Sequence, residues 1–234
     1  ATNGIAYKDL IGKVQDYPIP ELRLPDGHSE LLLDVGCNWG RWSIAAARKG
    51  YTVIGLDPSL GAVMAAKRVA EELELPIKYV VGDARYLPFP SISFDHVFSY
   101  SVLQHFSKLD AVKALCEIGR VLNIDGASLI QMPNFLGIRS LQHQVKRGFR
   151  EANSFEVRYW SVPELKRVFR KSIGNTLVSV DCYFGLGLQK NDMKYMPLKM
   201  KIIISASEIL RKISTFLPPM KYLADSVYVR SRKN

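Results

Sequence analysis

The sequence predicts a doubly wound α/β fold, in which a mostly parallel sheet carries helices on both faces. Short β-rich runs alternate with helical patterns along much of the 234-residue chain, as a parallel sheet with crossover helices requires. In addition, one apolar strand runs directly into a glycine-containing turn that opens a helix. The two observations place a ligand crevice at the carboxyl ends of the first strands.

Hydrophobic periodicity predicts the elements of the first part of the chain. Strands are expected at about 31–35, 52–57, 77–82, 95–100 and 127–132. Helices are expected at about 40–49, 59–74 and 108–122. Asp57-Pro58-Ser59 is a good helix-entry signal, and Pro76 and Gly126 mark turns.

The pattern changes after Pro133, and this is where substrate identity should be encoded. Residues 134–160 form a predicted insertion, helical or irregular, and Ser161 with Glu164 predicts a capped helix start. Strands near 176–184 and 225–232 bring the sheet to seven. Between them, residues 185–222 are too long for a hairpin loop, so this second insertion is expected to fold onto the same domain.

The turn after the first strand reads Asp34-Val35-Gly36-Cys37-Asn38-Trp39-Gly40. Gly36 has no Cβ to keep a ligand away from the backbone, and the free N–H groups of the helix that begins near Gly40 face the same crevice. Asp57 ends the next strand 21 residues after Gly36, a spacing that suits a carboxylate on ribose hydroxyls. A dinucleotide fingerprint would need glycine where the chain has Asn38 and Arg41, which argues against that class of cofactor.

The turn Asp34-x-Gly36-x-Asn38-x-Gly40 resembles the first motif of the class I S-adenosylmethionine methyltransferases. Asn38 replaces the usual middle glycine, and asparagine tolerates positive φ well. Segments 76–84, 94–106 and 115–133 resemble the third, fourth and fifth strands of the family in the same order. The resemblance covers about residues 30 to 133 and is strongest to the small-molecule branch that includes quinone-ring methylators.

The resemblance implies S-adenosylmethionine as the cofactor and an antiparallel edge to the seven-stranded sheet. Asp57 would hold the ribose and Asp83 the adenine amino group. The N-terminal segment 1–30 is expected to close over the cofactor, although Tyr17 could equally staple that segment to the sheet. The cofactor-binding residues that the resemblance implies are Asp34, Gly36, Cys37, Asn38, Gly40, Asp57, Pro58, Asp83, Ala84 and Ser99.

His105 is the candidate general base, because it follows the fourth strand in the loop that this family turns toward the transferable methyl group. Imidazole also titrates near neutral pH. The alternative is a helix-capping or packing histidine. The resemblance further implies substrate-side positions at Tyr100, Gln104, Tyr159 and Trp160.

Charge divides the chain into two unlike parts. Residues 1–133 hold 13 Lys and Arg against 15 Asp and Glu, whereas residues 134–234 hold 19 against 7. A cationic substrate half would attract anionic partners, with evenly solvated surface lysines as the alternative. Residues 199–217 form a basic amphipathic helix, which we expect to pack on its own domain; contact with an anionic membrane surface is the alternative.

Several classes of protein are disfavoured. The three cysteines, Cys37, Cys116 and Cys182, lack the paired spacing of a disulfide framework or zinc site, so no metal is expected and all three are predicted to be buried. No run of about 18 apolar residues and no cleavable signal pattern occurs. These observations predict a cytoplasmic enzyme.

The leading hypothesis is a methyltransferase that acts on a small anionic or lipid-linked acceptor. Ser99-Tyr100-Ser101 differs from the Asn/Asp-Pro-Pro-aromatic loop used on exocyclic amines of adenine, and no Pro-Cys dipeptide supports an adduct route to 5-methylpyrimidines. An RNA-directed methyltransferase is the first alternative, with backbone contacts from Lys146, Arg147 and Arg150. A non-enzymatic protein that binds S-adenosylmethionine or a partner is the second.

Overall fold

The computed structural model describes residues 16–185 and 187–234. The strands in them are β1 Leu31–Val35, β2 Thr52–Asp57, β3 Lys78–Val81, β4 Phe94–Ser99, β5 Leu122–Pro133, β6 Gly174–Cys182 and β7 Ser226–Lys233. The α-helices are α1 Arg41–Arg48, α2 Leu60–Glu72, α3 Lys108–Val121, α4 Ile138–Lys146, α5 Val162–Ser172 and α6 Leu198–Phe216. This confirms the predicted doubly wound fold.

The seven strands form one sheet in the order β3-β2-β1-β4-β5-β7-β6. β1 pairs in parallel with β2 on one side and with β4 on the other, so the direction of winding reverses between β1 and β4. β7 runs antiparallel to its neighbours β5 and β6. A reversal of this kind opens a crevice at the carboxyl ends of the strands, which is where the predicted cofactor turn lies.

β5 begins earlier than predicted. Residues 123–126, which lie between the predicted helix and the predicted strand and include the turn residue Gly126, are part of the strand, which starts at Leu122. Asp125 takes a left-handed conformation with φ +62°, and the pairing of β4 with β5 shifts register between Phe94 and His96. The turn residues therefore form an irregularity inside the strand instead of preceding it.

Apolar side chains pack on both faces of the sheet. On one face Leu115 of α3 and Phe169 of α5 are fully buried in the main core. On the other face Trp42 of α1 packs against the rings of Phe98 and Tyr100, with centroids 5.0 and 4.6 Å away. These apolar side chains hold the helices against the two faces of the sheet. Loops form the edge of the sheet at the carboxyl ends of the parallel strands.

The predicted helix starts are confirmed. Ser59 caps α2 by accepting a hydrogen bond from the Ala62 N–H at 3.3 Å. Ser161 and Glu164 form a reciprocal capping box at the start of α5. Each cap satisfies backbone donors that the first helical turn leaves open.

The second insertion packs on the domain, as its length predicts. It contains a 3₁₀ turn at Lys190–Tyr195, the helix α6 and a second 3₁₀ turn at Pro218–Tyr222. α6 packs against β6, the edge strand of the sheet. Asp192 forms a buried ion pair with Arg41 of α1 at 3.5 Å, so the insertion also contacts the helix that follows the cofactor turn.

The expectation that all three cysteines are buried is wrong for Cys116, which is exposed on α3. Cys37 and Cys182 are buried. The Cys116 sulfur lies 3.9 Å from the Ser172 hydroxyl, on the outer side of a helix whose core face is formed by other residues. Within the described ranges, no helix has the length and apolar character needed to cross a bilayer.

Candidate functional site

The turn after β1 is held by left-handed residues and by the end of β2. Gly36, Asn38 and Gly40 have φ values of +77°, +50° and +87°. The Gly36 N–H donates to the Leu56 carbonyl at 2.7 Å. A Cβ on Gly36 would lie 2.2 Å from Val102 Cγ2, so this turn and the loop after β4 meet where only glycine fits. Asparagine can occupy the middle position because it tolerates positive φ.

Asp57 connects the turn to the start of α2. One carboxylate oxygen, Oδ2, accepts from the Asn38 N–H at 2.9 Å, and Oδ1 accepts from the Ser59 N–H at 3.0 Å. Pro58, which lies between Asp57 and Ser59 in the sequence, is exposed. Because each carboxylate oxygen can accept two hydrogen bonds, Asp57 keeps capacity for a ligand hydroxyl while it shapes the turn.

Asp34 lies beneath the turn with 1% of its surface exposed. The Ser43 hydroxyl donates to its Oδ2 at 2.6 Å. Burial raises the pKa of Asp34 to about 7, and the negative charge of Asp57 adds to the rise. A bound cation next to this carboxyl group would favour its ionised form.

Asp83 follows β3 and is engaged by its own neighbour. The Arg85 guanidinium donates to both carboxylate oxygens of Asp83 and forms an ion pair at 2.6 Å. These hydrogen bonds lower the pKa of Asp83. Ala84 is buried beside it. An adenine amino group at Asp83 would share the carboxylate with Arg85.

The loop after β4 is fastened to the sheet by side-chain hydrogen bonds. The Ser99 hydroxyl donates to the Val35 carbonyl at 2.9 Å. The Ser101 N–H donates to Gln131 Oε1 at 2.8 Å, and the Gln104 amide donates to the Ser101 hydroxyl at 2.7 Å. The loop therefore has a fixed position next to the end of β1.

His105 has the protonation state that a general base needs. Its Nδ1 lies 2.7 Å from the Phe155 carbonyl oxygen, and its Nε2 lies 3.2 Å from the Gln104 amide nitrogen. A carbonyl only accepts, so Nδ1 carries the proton and Nε2 presents a lone pair to the amide. Burial lowers the pKa of His105 below its usual 6.5. The ring also stacks on Phe155, with centroids 3.9 Å apart.

Arg158 holds the first insertion, residues 134–160, against the loop after β4. The sequence pattern did not predict this role. Its guanidinium donates to the carbonyls of His105 at 2.8 Å, Ala152 at 3.0 Å, Ser154 at 3.1 Å and Glu156 at 3.1 Å. The backbone N–H of Arg158 also donates to the Gln104 carbonyl at 2.8 Å. One side chain thus joins the candidate base to the segment that covers it.

The predicted substrate-side residues occupy different environments. Tyr159 lines a surface cavity of about 440 Å³, and its hydroxyl lies 3.2 Å from His143 Nδ1. Trp160 is 2% exposed in the main core. The Tyr100 hydroxyl donates to buried Asp181 at 2.9 Å. The other residues that line the cavity are His143, Lys146, Arg147, Arg150, Glu156 and Val157.

Asp181 is a second polar residue that the sequence analysis missed. It is 1% exposed and accepts from Tyr100 and, at 2.9 Å, from Ser226. Arg23 pairs with its other oxygen at 3.1 Å. The network joins the loop after β4 to β6, to β7 and to the segment that precedes β1.

Residues 32–126 match the family model described as a methyltransferase domain. This part of the chain is therefore similar to methyltransferase domains. The match spans the turn after β1, Asp57, Asp83 and the loop after β4, so most of the geometry described above lies within the matched residues. S-adenosylmethionine is the cofactor that this family implies.

Named relatives resemble part of the chain. A ubiquinone biosynthesis O-methyltransferase of Azorhizobium caulinodans is 30% identical over 44% of this chain and 40% of its own length. A malonyl-[acyl-carrier protein] O-methyltransferase of Serratia marcescens is 34% identical over 54% and 48%. The chain thus spans about half or less of these relatives. The crystal structure of the YcgJ protein of Bacillus subtilis shares the fold, with a TM-score of 0.59, 21% identity and coverage of 88% of this chain and 93% of that one.

The residues of the methyltransferase domain fit S-adenosylmethionine. The cofactor presents an ammonium group and a ribose diol, and the two carboxyl groups Asp34 and Asp57 lie at the turn. The buried position and raised pKa of Asp34 suit a group that becomes ionised beside a cation. A side chain at Gly36 would collide with Val102, so glycine is what allows the turn and the loop after β4 to meet at the crevice. Cys37, with its thiol pKa raised by burial, is a packing residue of the turn.

Tyr17 lies beside this turn at the first residues that the structure describes. Its ring centroid is 5.9 Å from that of Trp39, and its hydroxyl donates to Glu72 of α2 at 2.7 Å. Tyr17 therefore staples the incoming chain to the domain next to the cofactor turn. Of the segment 1–30 that was predicted to close over the cofactor, residues 1–15 lie outside the described residues.

Proposed function

We propose that the protein transfers a methyl group from S-adenosylmethionine to a small acceptor that is anionic or lipid-linked. The observation that carries the proposal is the cofactor turn, in which Asp34, Gly36 and Asp57 meet at the switch point of a methyltransferase domain. Bound there, the cofactor supplies an already activated methyl group. The protein then has to align the acceptor and, where needed, accept its proton.

His105 is the group that would take the acceptor proton. Its neutral state and its Nε2 lone pair suit this role, and the loop that carries it contacts the glycine turn through Val102. Gln104 would have to release Nε2 when the acceptor binds. Arg158 would act as a positioning residue, because it holds the covering segment against His105.

The proposed class of acceptor is supported by the positive charge of residues 134–234 and by the names of two relatives. The half of the chain that would face the acceptor carries 19 basic against 7 acidic residues, a field that favours anions. One relative is named for ubiquinone biosynthesis and another for malonyl-acyl carrier protein. Of the three basic residues invoked for RNA binding, Arg147 and Arg150 already face Glu156 at 4.0 and 2.7 Å, so no observation favours that alternative.

The test is incubation of the protein with S-adenosylmethionine labelled in the methyl group and a fractionated cell extract. We expect label in the small-molecule or lipid fraction. Label confined to RNA would contradict the proposed acceptor. Tight binding of the cofactor without transfer to any fraction would contradict the enzymatic function and favour a binding protein.

A further inference from the structure

Helix α6 has apolar side chains on two opposite faces. Its inner face packs on the domain, where Ile204 and Ser207 are 1% and 5% exposed and the Ser207 hydroxyl accepts from the Tyr183 N–H at 3.0 Å. Leu210 contacts the main core from the same side. The expectation that this helix packs on its own domain is therefore correct for one face only.

The other face is an exposed stripe, which we call the outer stripe. It consists of Leu198, Ile202, Ile209, Ile213 and Phe216, with 74%, 62%, 58%, 40% and 85% of their surfaces exposed. At about 100° per residue these positions fall within an arc of about 60°, along a helix about 28 Å long. A contiguous apolar surface of this kind marks an interaction site, whereas scattered exposed residues do not.

The charges next to the outer stripe are positive. Lys199, Lys201 and Lys212 lie on the same helix. The single acidic residue of the helix, Glu208, forms ion pairs with Arg23 and Arg211 at 3.0 and 2.6 Å, so its charge is compensated. An apolar stripe flanked by lysines is the pattern of a helix that lies in the surface of an anionic membrane.

The turn that follows α6 lies beside the carboxyl end of β5. It exposes Tyr222 and Leu223. Its Tyr222 carbonyl accepts from the Asn134 side chain at 2.8 Å, and Asn134 directly follows the carboxyl end of β5. Leu136, two residues further on, is also exposed. Exposed apolar side chains therefore occur on α6 and also beside the carboxyl end of β5, where an acceptor would enter.

We propose that α6 docks on the surface of an anionic lipid bilayer through the outer stripe, with its lysines on the lipid head groups. A second copy of the chain is a poorer occupant, because a symmetric contact would bring the lysines of two stripes together. The lipid contact is independent of the methyl transfer proposed above. The consequence that a lipid-linked acceptor is taken from the bilayer rests on that proposal.

The test is co-sedimentation with vesicles of phosphatidylcholine alone and of equimolar phosphatidylcholine and phosphatidylglycerol, without cofactor or acceptor. We expect pelleting with the anionic vesicles at low salt and less at high salt. The variant Ile209→Ser should lose most of the binding. Its matched control is Ile124→Ser, at an equally exposed isoleucine (59%) at the start of β5, which should bind as the unmodified protein does.

The charge contribution is tested with K201Q/K212Q, which should weaken binding to anionic vesicles by about fivefold per lysine. The control K166Q/K171Q removes two exposed lysines from α5 and should leave binding unchanged. Absence of pelleting at low salt, or equal pelleting with neutral vesicles, would overturn the proposal. A dimer observed by sedimentation velocity without lipid and dissociated by Ile209→Ser would also overturn the proposal. The outer stripe would then be covered by a second copy of the chain.

Discussion

The cofactor half of the molecule, residues 31–133, and the acceptor half, residues 134–234, are built differently. In the cofactor half the side-chain hydrogen bonds that shape the turn after β1 span few residues: Asp34 meets Ser43 and Asn38 meets Asp57, 9 and 19 residues apart, although Ser99 reaches Val35 across 64. In the acceptor half the key contacts are long-range: Arg158 reaches His105 across 53 residues and Asp181 binds Tyr100 across 81. Local turns thus define the cofactor site, whereas the acceptor side depends on how distant segments meet.

Because the two halves are built differently, we expect cofactor affinity and acceptor KM to depend on different residues. Changes in the cofactor half should alter affinity for S-adenosylmethionine and leave the acceptor KM unaffected. Changes in the acceptor half should do the reverse. His105 lies at the junction, because it belongs to the loop after β4 but contacts Phe155 of the first insertion.

The largest effect is expected at this junction. His105→Ala should lower the rate of methyl transfer by about 10²- to 10⁴-fold, as loss of a general base does, while cofactor affinity measured by calorimetry stays the same. The control His28→Ala changes an exposed histidine. A His105→Ala enzyme that turns over normally would leave His105 as a packing residue.

The pH dependence of the unmodified enzyme is a second readout of the same residue. A base works in its neutral form, and burial lowers the pKa of His105 below 6.5. With S-adenosylmethionine saturating, we therefore expect kcat/KM for the acceptor to rise with pH through a pKa below 6.5 and to be level at neutral pH. The rise should disappear in His105→Ala.

The second largest effect is expected at the cofactor turn. Asp57→Ala should weaken binding of S-adenosylmethionine, since each charge-assisted hydrogen bond contributes about 1.5–3 kcal/mol. Asp57→Asn keeps the size of the side chain and removes its negative charge, so it distinguishes the two contributions. The control is Asp26→Ala, which changes an exposed aspartate. Unchanged affinity in folded Asp57→Ala would remove Asp57 from the site, and comparable binding of NAD would contradict the assignment of cofactor.

Arg158 tests the acceptor half. Arg158→Met removes the side-chain donor of four carbonyls, at about 1 kcal/mol of net stability per bond. We expect a raised acceptor KM, unchanged affinity for S-adenosylmethionine and a lowered melting temperature. Arg170→Met, at an exposed arginine of α5, is the control. A loss of cofactor affinity equal to the rise in KM would break the proposed separation of the halves.

The smallest effect concerns Asp34. Its pKa of about 7 means that the carboxyl group is largely protonated below neutral pH, and only the ionised form would attract the ammonium group of a cofactor bound at this turn. Affinity for S-adenosylmethionine should therefore rise by about tenfold between about pH 5.5 and about pH 7. Asp34→Asn should flatten this slope. An equal slope in Asp34→Asn would assign it to another group.

The same pKa affects folding in the opposite direction. The folded protein binds a proton at Asp34 that the unfolded chain, with an ordinary aspartate pKa of 3.8, has released at neutral pH. This contribution to stability is present below the unfolded pKa and is lost as pH rises through about 7. Bound cofactor should offset the loss, which thermal melts with and without S-adenosylmethionine would measure.

The sequence by itself determined the fold and its ligand edge. Apolar runs with the right periodicity predict the strands, the capping residues at Ser59 and Ser161 start two helices, and the glycine turn with Asp57 predicts the crevice. These features are readable because each depends on residues within a few turns of one another. The match to a methyltransferase domain over 32–126 covers these features except Ser161.

Only the tertiary structure decided the rest. It placed Tyr100 and Trp160 in buried surroundings, showed that Cys116 is exposed, and showed that Asp57 accepts a hydrogen bond from the Asn38 N–H. It also showed that α6 has two apolar faces and buries one of them. Composition and periodicity report that a side chain is apolar or charged, whereas its environment depends on which distant segment covers it. That is set by the packing of the whole chain.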